Sequence, residues 1–138
     1  MRMYNVRGKL VSKNVSKYLI NWKGKCRSKF QEAVKAFMEP HWSYCIVYEE
    51  FPVYGTLMKV DILNSTKKIA IEVNGDQHYS YNKFFHGNSI ENYSKSLERD
   101  TLKLEWLEKN GYQLAEIISS DLNKLSEEFF KIKFGIEI

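Results

Sequence analysis

The chain has 138 residues, of which 43% are hydrophobic and 14% aromatic, and it carries a net charge of +4. This suffices for one domain with a substantial core and is short for two, while seven Gly and two Pro are too few for a disordered or fibrous chain. Apolar runs such as Tyr44 to Tyr48 are too short to cross a bilayer or to serve as a signal peptide, so a cytoplasmic protein with no membrane partner is expected.

The first 31 residues hold nine Lys or Arg and no acid; the first acid is Glu32. Arg2, Arg7, Lys9, Lys13, Lys17, Lys23, Lys25 and Arg27 are interleaved with Tyr4, Tyr18 and Trp22. Spaced cations release counterions from a phosphate backbone and aromatic rings stack on bases, so residues 1–27 are expected to form a basic DNA-contacting segment preceding a domain over 28–138. Cys26 and Cys45 lack C-x-x-C spacing and are expected to be reduced thiols rather than a disulfide or zinc ligands.

Ser28 is placed to cap a helix with Phe30, Val34 and Phe37 at helical spacing, which Pro40 should follow. Three strands are predicted at Ser43 to Glu50, Leu57 to Leu63 and Lys68 to Asn74, separated by Pro52 with Gly55 and by the turn Asn64-Ser65-Thr66-Lys67. A polar, aromatic loop or flap over 79–92 precedes a long helix from about Ile90 to Lys109, stopped by Asn110-Gly111. A fourth strand over Tyr112 to Ile118 follows. Asp121 then caps a last helix whose buried stripe is Leu122, Leu125, Phe129 and Ile132. The order α-β-β-β-α-β-α predicts an α/β fold with a mixed sheet flanked by helices and a basic N-terminal extension.

Strand alternation sorts the chemistry. Lys59, Asp61 and Leu63 should share one face of the second strand, and Met58, Val60 and Ile62 the other. In the third strand Ile69, Ile71 and Val73 should oppose Ala70, Glu72 and Asn74. Asp61 and Glu72 are acids within apolar strands ending near one turn. They are either two surface carboxylates or a pair held by a hard divalent cation such as Mg²⁺. Gly75 follows, and it can swing His78 back towards the carboxylates as a base or phosphate ligand. On the long helix Tyr93, Leu97, Leu104 and Leu107 should share a face with Asp100. An acid there is either paired, with Lys59 or His78, or turned to the edge of a site. Lys95, Arg99 and Lys103 lie on the flanks of that helix; any of them could touch phosphate, but a solvated position is the default.

The segments Val60-Asp61-Ile62, Ile69-Ala70-Ile71-Glu72-Val73-Asn74-Gly75-Asp76-Gln77-His78 and Arg99-Asp100-Thr101-Leu102-Lys103, leading to Gly111-Tyr112, together resemble the PD-(D/E)xK nuclease superfamily. The nearest look is its very-short-patch-repair-like branch, which includes phage and intron-associated homing endonucleases of the E-D-x-H-D type. The resemblance covers about Ser28 to Leu125. It implies a restriction-endonuclease-like fold, a phage-infected or bacterial cell, and hydrolysis of double-stranded DNA with Mg²⁺ or Mn²⁺. Asp61 and Glu72 would bind the metal, with His78 and Asp100 completing the site. Two positions depart from the pattern. Asn74 stands where the superfamily places the lysine of E-x-K, so His78 or Lys59 would take over its charge. The branch's first-helix acid would be Glu32, unless the register puts Gln31 there; Glu49 and Glu50 are alternative third carboxylates. A site-specific endonuclease or strand nickase is the expected function, monomeric or homodimeric. Its rivals are a junction resolvase or repair nickase of the same superfamily and a catalytically silent nucleic-acid-binding domain.

Overall fold

Ser28 caps the first helix, its hydroxyl accepting the Gln31 N–H at 3.1 Å, and α1 runs Lys29–Trp42. The helix passes through Pro40 instead of ending before it. A proline in the last turn removes one amide donor and crowds the carbonyl four residues back, but carrying on lets Trp42 join Val34 and Met38, spaced by four, in being completely buried. Each such burial contributes about 1.5–3 kcal/mol, which outweighs the missing bond. The computed structural model describes residues 1–26, 28–75 and 89–138, with residues 89–96 described by backbone alone.

Strands β3 (Val47–Pro52), β4 (Lys59–Asn64) and β5 (Ile69–Asn74) form an antiparallel meander. The first begins later than its composition predicts: Tyr44 and Ile46 are exposed, ahead of the strand. Helix α2 (Ser89–Lys109) then carries the chain to β6 (Gln113–Ile118), which pairs with β5 in parallel. Gly111, at φ 82°, ends α2 as a left-handed cap, and Tyr112 N–H returns to the Leu107 carbonyl. The result is a mixed α/β fold around a four-stranded mixed sheet of order β3-β4-β5-β6.

The sheet has a core on each face. On one side Trp106 and Leu107 of α2 pack with Tyr48, Phe51, Tyr54, Val60 and Leu63. On the other, α1 packs with Val47, Ile62, Ile71, Ile117 and Phe130. Phe130 belongs to α3 (Glu127–Phe134), which is capped by Ser126 rather than Asp121. Asp121 lies in a preceding 3-10 turn, where it accepts Ile118 N–H and the Lys133 ammonium. The later start shifts the helix phase, so Ile132, expected in the stripe, is 76% exposed and Phe130 is buried.

The basic segment is folded onto this body. Strands β1 (Arg2–Tyr4) and β2 (Leu10–Ser12) form a hairpin, and Met3 and Val15 join the α2-side core. Arg2, Arg7, Lys9, Lys13, Lys17, Lys23 and Lys25 all stay exposed. Arg27 lies outside the described residues. Among the described residues no helix is long and apolar enough to cross a membrane.

Candidate functional site

Alternation holds in β5, where Ile69 and Ile71 face the α1 core and Ala70 the α2 core, so Glu72 turns towards α2. In β4 it fails. Val60 shares the α2-side core with Leu63, while Ile62 lies in the opposite core; the expected Val60 and Ile62 face is therefore broken at Asp61. The neighbouring strand breaks at the same level. Glu50, which the register places opposite Asp61, has a left-handed backbone at φ 50°, and Phe51 joins Tyr48 in one core instead of alternating with it. A non-glycine residue in this region of φ is strained, and such strain gathers at functional sites.

The ladder between β4 and β5 pairs Asn64 with Ile69, Leu63 with Ala70 and Ile62 with Ile71; the next level holds Asp61 and Glu72. Here side chains replace the ladder. The Asp61 N–H donates to Glu72 Oε2 at 3.1 Å, and the Val73 N–H donates to Asp61 Oδ2 at 2.8 Å. Each carboxylate is thus fixed by an amide of the opposite strand. Glu72 Oε1 accepts the Lys103 ammonium from α2 in an ion pair whose side chains are only 10% and 16% exposed.

Glu50, Lys59, Asp61, Glu72, Asn74 and Lys103 line one opening of about 360 Å³. A larger opening, about 660 Å³, lies between α3 and the final residues, but it has no comparable set of fixed buried groups. Burial pushes the Asp61 carboxyl up to about 8, the Glu72 charge raising it further and the Val73 N–H acting the other way, with a smaller upward push from Glu50. Among the six, three carboxyl groups face two ammonium groups, so once Asp61 ionises one negative charge is unbalanced. Hard oxygens with excess negative charge fit a small divalent cation. Among the described residues no three His, Cys, Asp or Glu side chains are grouped closely enough to hold an ion alone. A cation at Asp61 and Glu72 would thus complete its shell with water or phosphate oxygens, as Mg²⁺ commonly does.

The other expected site residues divide. Lys59 is exposed at the rim. Asp100 is exposed on α2, as are Leu97 (48%) and Leu104 (37%), so this acid is not buried among apolar side chains as its spacing had implied. The sheet-facing stripe is Lys103, Trp106, Leu107 and Asn110. Lys103, one of three flanking cations for which a solvated position is the sequence default, is the one at the opening; phasing the helix on Trp106 singles it out. Glu32 turns from the opening to accept Cys26 N–H at 3.0 Å, whereas Gln31 is buried and donates to Glu50 Oε1 at 3.2 Å. Glu49 is bound by the buried Lys35 at 2.9 Å and by Asn21 N–H at 2.6 Å. Of the alternative third carboxylates, Glu50 is the one at the opening. His78, with Asp76, Gln77 and residues 79–88 of the expected flap, lies outside the described residues.

Two viral proteins are similar to part of this chain. Uncharacterized protein 033L of Invertebrate iridescent virus 3 is 38% identical over 66 residues, 48% of this chain and 34% of that protein. Uncharacterized protein 094L of Frog virus 3 (isolate Goorha) is 35% identical over 66 residues, 48% of this chain and 43% of that protein. The match spans less than half of either relative. No family model matches the chain, and no solved structure matches it.

Proposed function

We propose that the chain is a metal-dependent endonuclease domain that hydrolyses DNA phosphodiesters, with a restriction-endonuclease-like core of the PD-(D/E)xK type. The observation that carries this reading is the Asp61 and Glu72 pair, held by reciprocal amide bonds where the β4–β5 ladder ends and open to a polar cleft. A three-strand meander, a crossover helix and a parallel fourth strand, with helices on both faces, agree with what the sequence resemblance implies.

Asp61 and Glu72 are the residues that would hold Mg²⁺ or Mn²⁺. Bound there, the ion would supply Lewis-acid activation of water and neutralise developing phosphorane charge. The chain's own contribution is rigidity: Val73 N–H orients Asp61, Asp61 N–H orients Glu72, and both carboxylates would therefore receive a cation without rearrangement. His78 keeps its proposed part as proton acceptor. A site-specific endonuclease or strand nickase fits best. A catalytically silent DNA-binding domain is the second reading, favoured by the closed Glu72 and Lys103 ion pair.

Incubating supercoiled plasmid and phage DNA with wild type and Asp61→Ala, with Mg²⁺ or EDTA, separates the two. Nicked or linear product only from wild type with Mg²⁺ is expected. Equal cutting by the variant or in EDTA, or none by wild type, would count against the nuclease.

The exposed cations of the N-terminal hairpin and the segment after it would track the duplex. Because Met3 and Val15 belong to the core, removing this region would unfold more than an arm, so charge substitution is the sound test. In Arg7→Gln/Lys9→Gln/Lys17→Gln the logarithmic dependence of DNA affinity on salt should flatten by up to about 0.9 per lost phosphate contact. A slope unchanged from wild type would remove these residues from the interface.

A further inference from the structure

We infer that Lys103, supplied by α2, is the catalytic cation of the site and does from the helix what a lysine at position 74 would do from the strand. This rests on the nuclease reading above. Asn74 brings an amide to the place where a positive charge is needed, and an amide cannot neutralise a phosphorane. Lys103 enters the same opening from the other side: both residues line it, together with Asp61 and Glu72.

Its placement distinguishes it from a surface lysine. It lies on the sheet-facing stripe of α2, one turn before the fully buried Trp106 and Leu107, and its side chain is 16% exposed. Its ammonium is bound to Glu72 Oε1, while the other oxygen of Glu72 holds Asp61 N–H. The ammonium is therefore fixed beside the carboxylate pair before substrate arrives. An ammonium carries three donors, so bonding Glu72 leaves it able to donate to a non-bridging phosphate oxygen. Lys59, the alternative cation, is exposed at the rim and has to give up hydration and side-chain freedom to reach the same place.

In the reaction, the oxygen of water bonds to phosphorus as a phosphorus–oxygen bond to the sugar breaks. Water releases a proton to a base or to solvent, and the leaving sugar oxygen takes one up. Lys103 stays protonated throughout and stabilises the charge gathered on the phosphoryl oxygens.

Single-turnover cleavage with saturating Mn²⁺, DNA affinity measured in Ca²⁺, and Mn²⁺ affinity by calorimetry test this on the full chain. Lys103→Met is expected to slow cleavage about 100-fold or more, with DNA affinity changed less than about threefold and Mn²⁺ affinity unchanged or increased, since Glu72 is released. The decisive variant adds Asn74→Lys to Lys103→Met, returning a cation to the same opening from β5; at least tenfold recovery of rate is expected. Cleavage by Lys103→Met at the wild-type rate overturns the inference. So does a loss that Asn74→Lys leaves uncorrected, or one matched by equal loss of Mn²⁺ affinity, since Lys103 would then only hold Glu72 in place. If wild type cuts and Asp61→Asn does not, while Lys103→Met cuts normally, this inference alone fails. If wild type neither cuts nor binds Mn²⁺, the nuclease reading falls and takes this inference with it.

Discussion

In thermal unfolding at pH 8 without divalent ions, Asp61→Asn is expected to melt about 5 °C above wild type, a gain of roughly 1–2 kcal/mol after allowance for partial solvent access. The Asp61 carboxyl is pushed from an ordinary value of 3.8 up to about 8, by burial first and by the Glu72 charge second. An acid raised on folding is stabilised in its protonated form, so its contribution to stability is complete below the unfolded value of 3.8. It is lost as pH climbs towards 8. The variant has no such loss and keeps an amide oxygen to accept Val73 N–H, so its advantage should grow from pH 4 to pH 8 and then level off. Mn²⁺ should act in the opposite sense. It should raise the wild-type melting temperature, more strongly as Asp61 ionises, and leave the variant unmoved. A variant that melts at or below wild type across this range would show that ionised Asp61 carries no cost from burial or Glu72, and one that gains as much from Mn²⁺ would show that Asp61 is not a metal ligand. The combination expected here, lower stability with the acid and higher stability without it, is what a site held ready for a cation implies.

The carboxylates themselves were legible in the sequence because acids are conspicuous within apolar strands, and β5 alternates without interruption between its two neighbours. What the sequence did not carry was the geometry around them. Alternation presumes an extended backbone, and nothing in Glu50 announces a left-handed conformation, so the paired distortion at Glu50 and Asp61 is invisible in the sequence: Val60 stays with Met58 as alternation expects but is parted from Ile62. On α2, leucines at 97 and 104 outweighed the single Trp106, although the indole buries more apolar area than either. The phase error hid Lys103 and made Asp100 look buried. The hairpin over residues 2–12 was missed for another reason: its strands have three residues each and carry exposed charge, too short for a period to register. Ser28, Gly111 and the crossover helix were readable because caps and long helices depend on local chemistry.

Trp106 joins the hairpin to the body beneath the site, and Trp106→Ala is expected to destabilise the protein by about 3–5 kcal/mol in urea unfolding. The indole is 1% exposed and stands within 6.4 Å of the Phe51 ring centroid and 6.1 Å of that of Tyr54. Its Nε1 donates to the Tyr4 carbonyl at 2.6 Å, and Asn110, one turn further on, exchanges bonds with Tyr4 N–H at 2.8 Å and the same carbonyl at 3.1 Å. Trp106→Phe separates the two contributions: it retains a ring and removes the donor, so a smaller loss of about 1–2 kcal/mol is expected. Against a total stability of roughly 5–15 kcal/mol for a domain, the alanine variant would stand near its limit. Hydrogen exchange should show where the loss falls. Because Tyr4 is tied to α2 through Trp106 and Asn110, the amides of Met3 and Tyr4 should lose protection before those of β5 and β6, which pair over six residues of the main sheet. Uniform loss across hairpin and sheet would show instead that the basic segment unfolds only with the whole domain. Lys103 lies one turn before Trp106, so in the first outcome cleavage by Trp106→Phe should fall less than DNA affinity, with the cation held by Glu72 while the hairpin loosens.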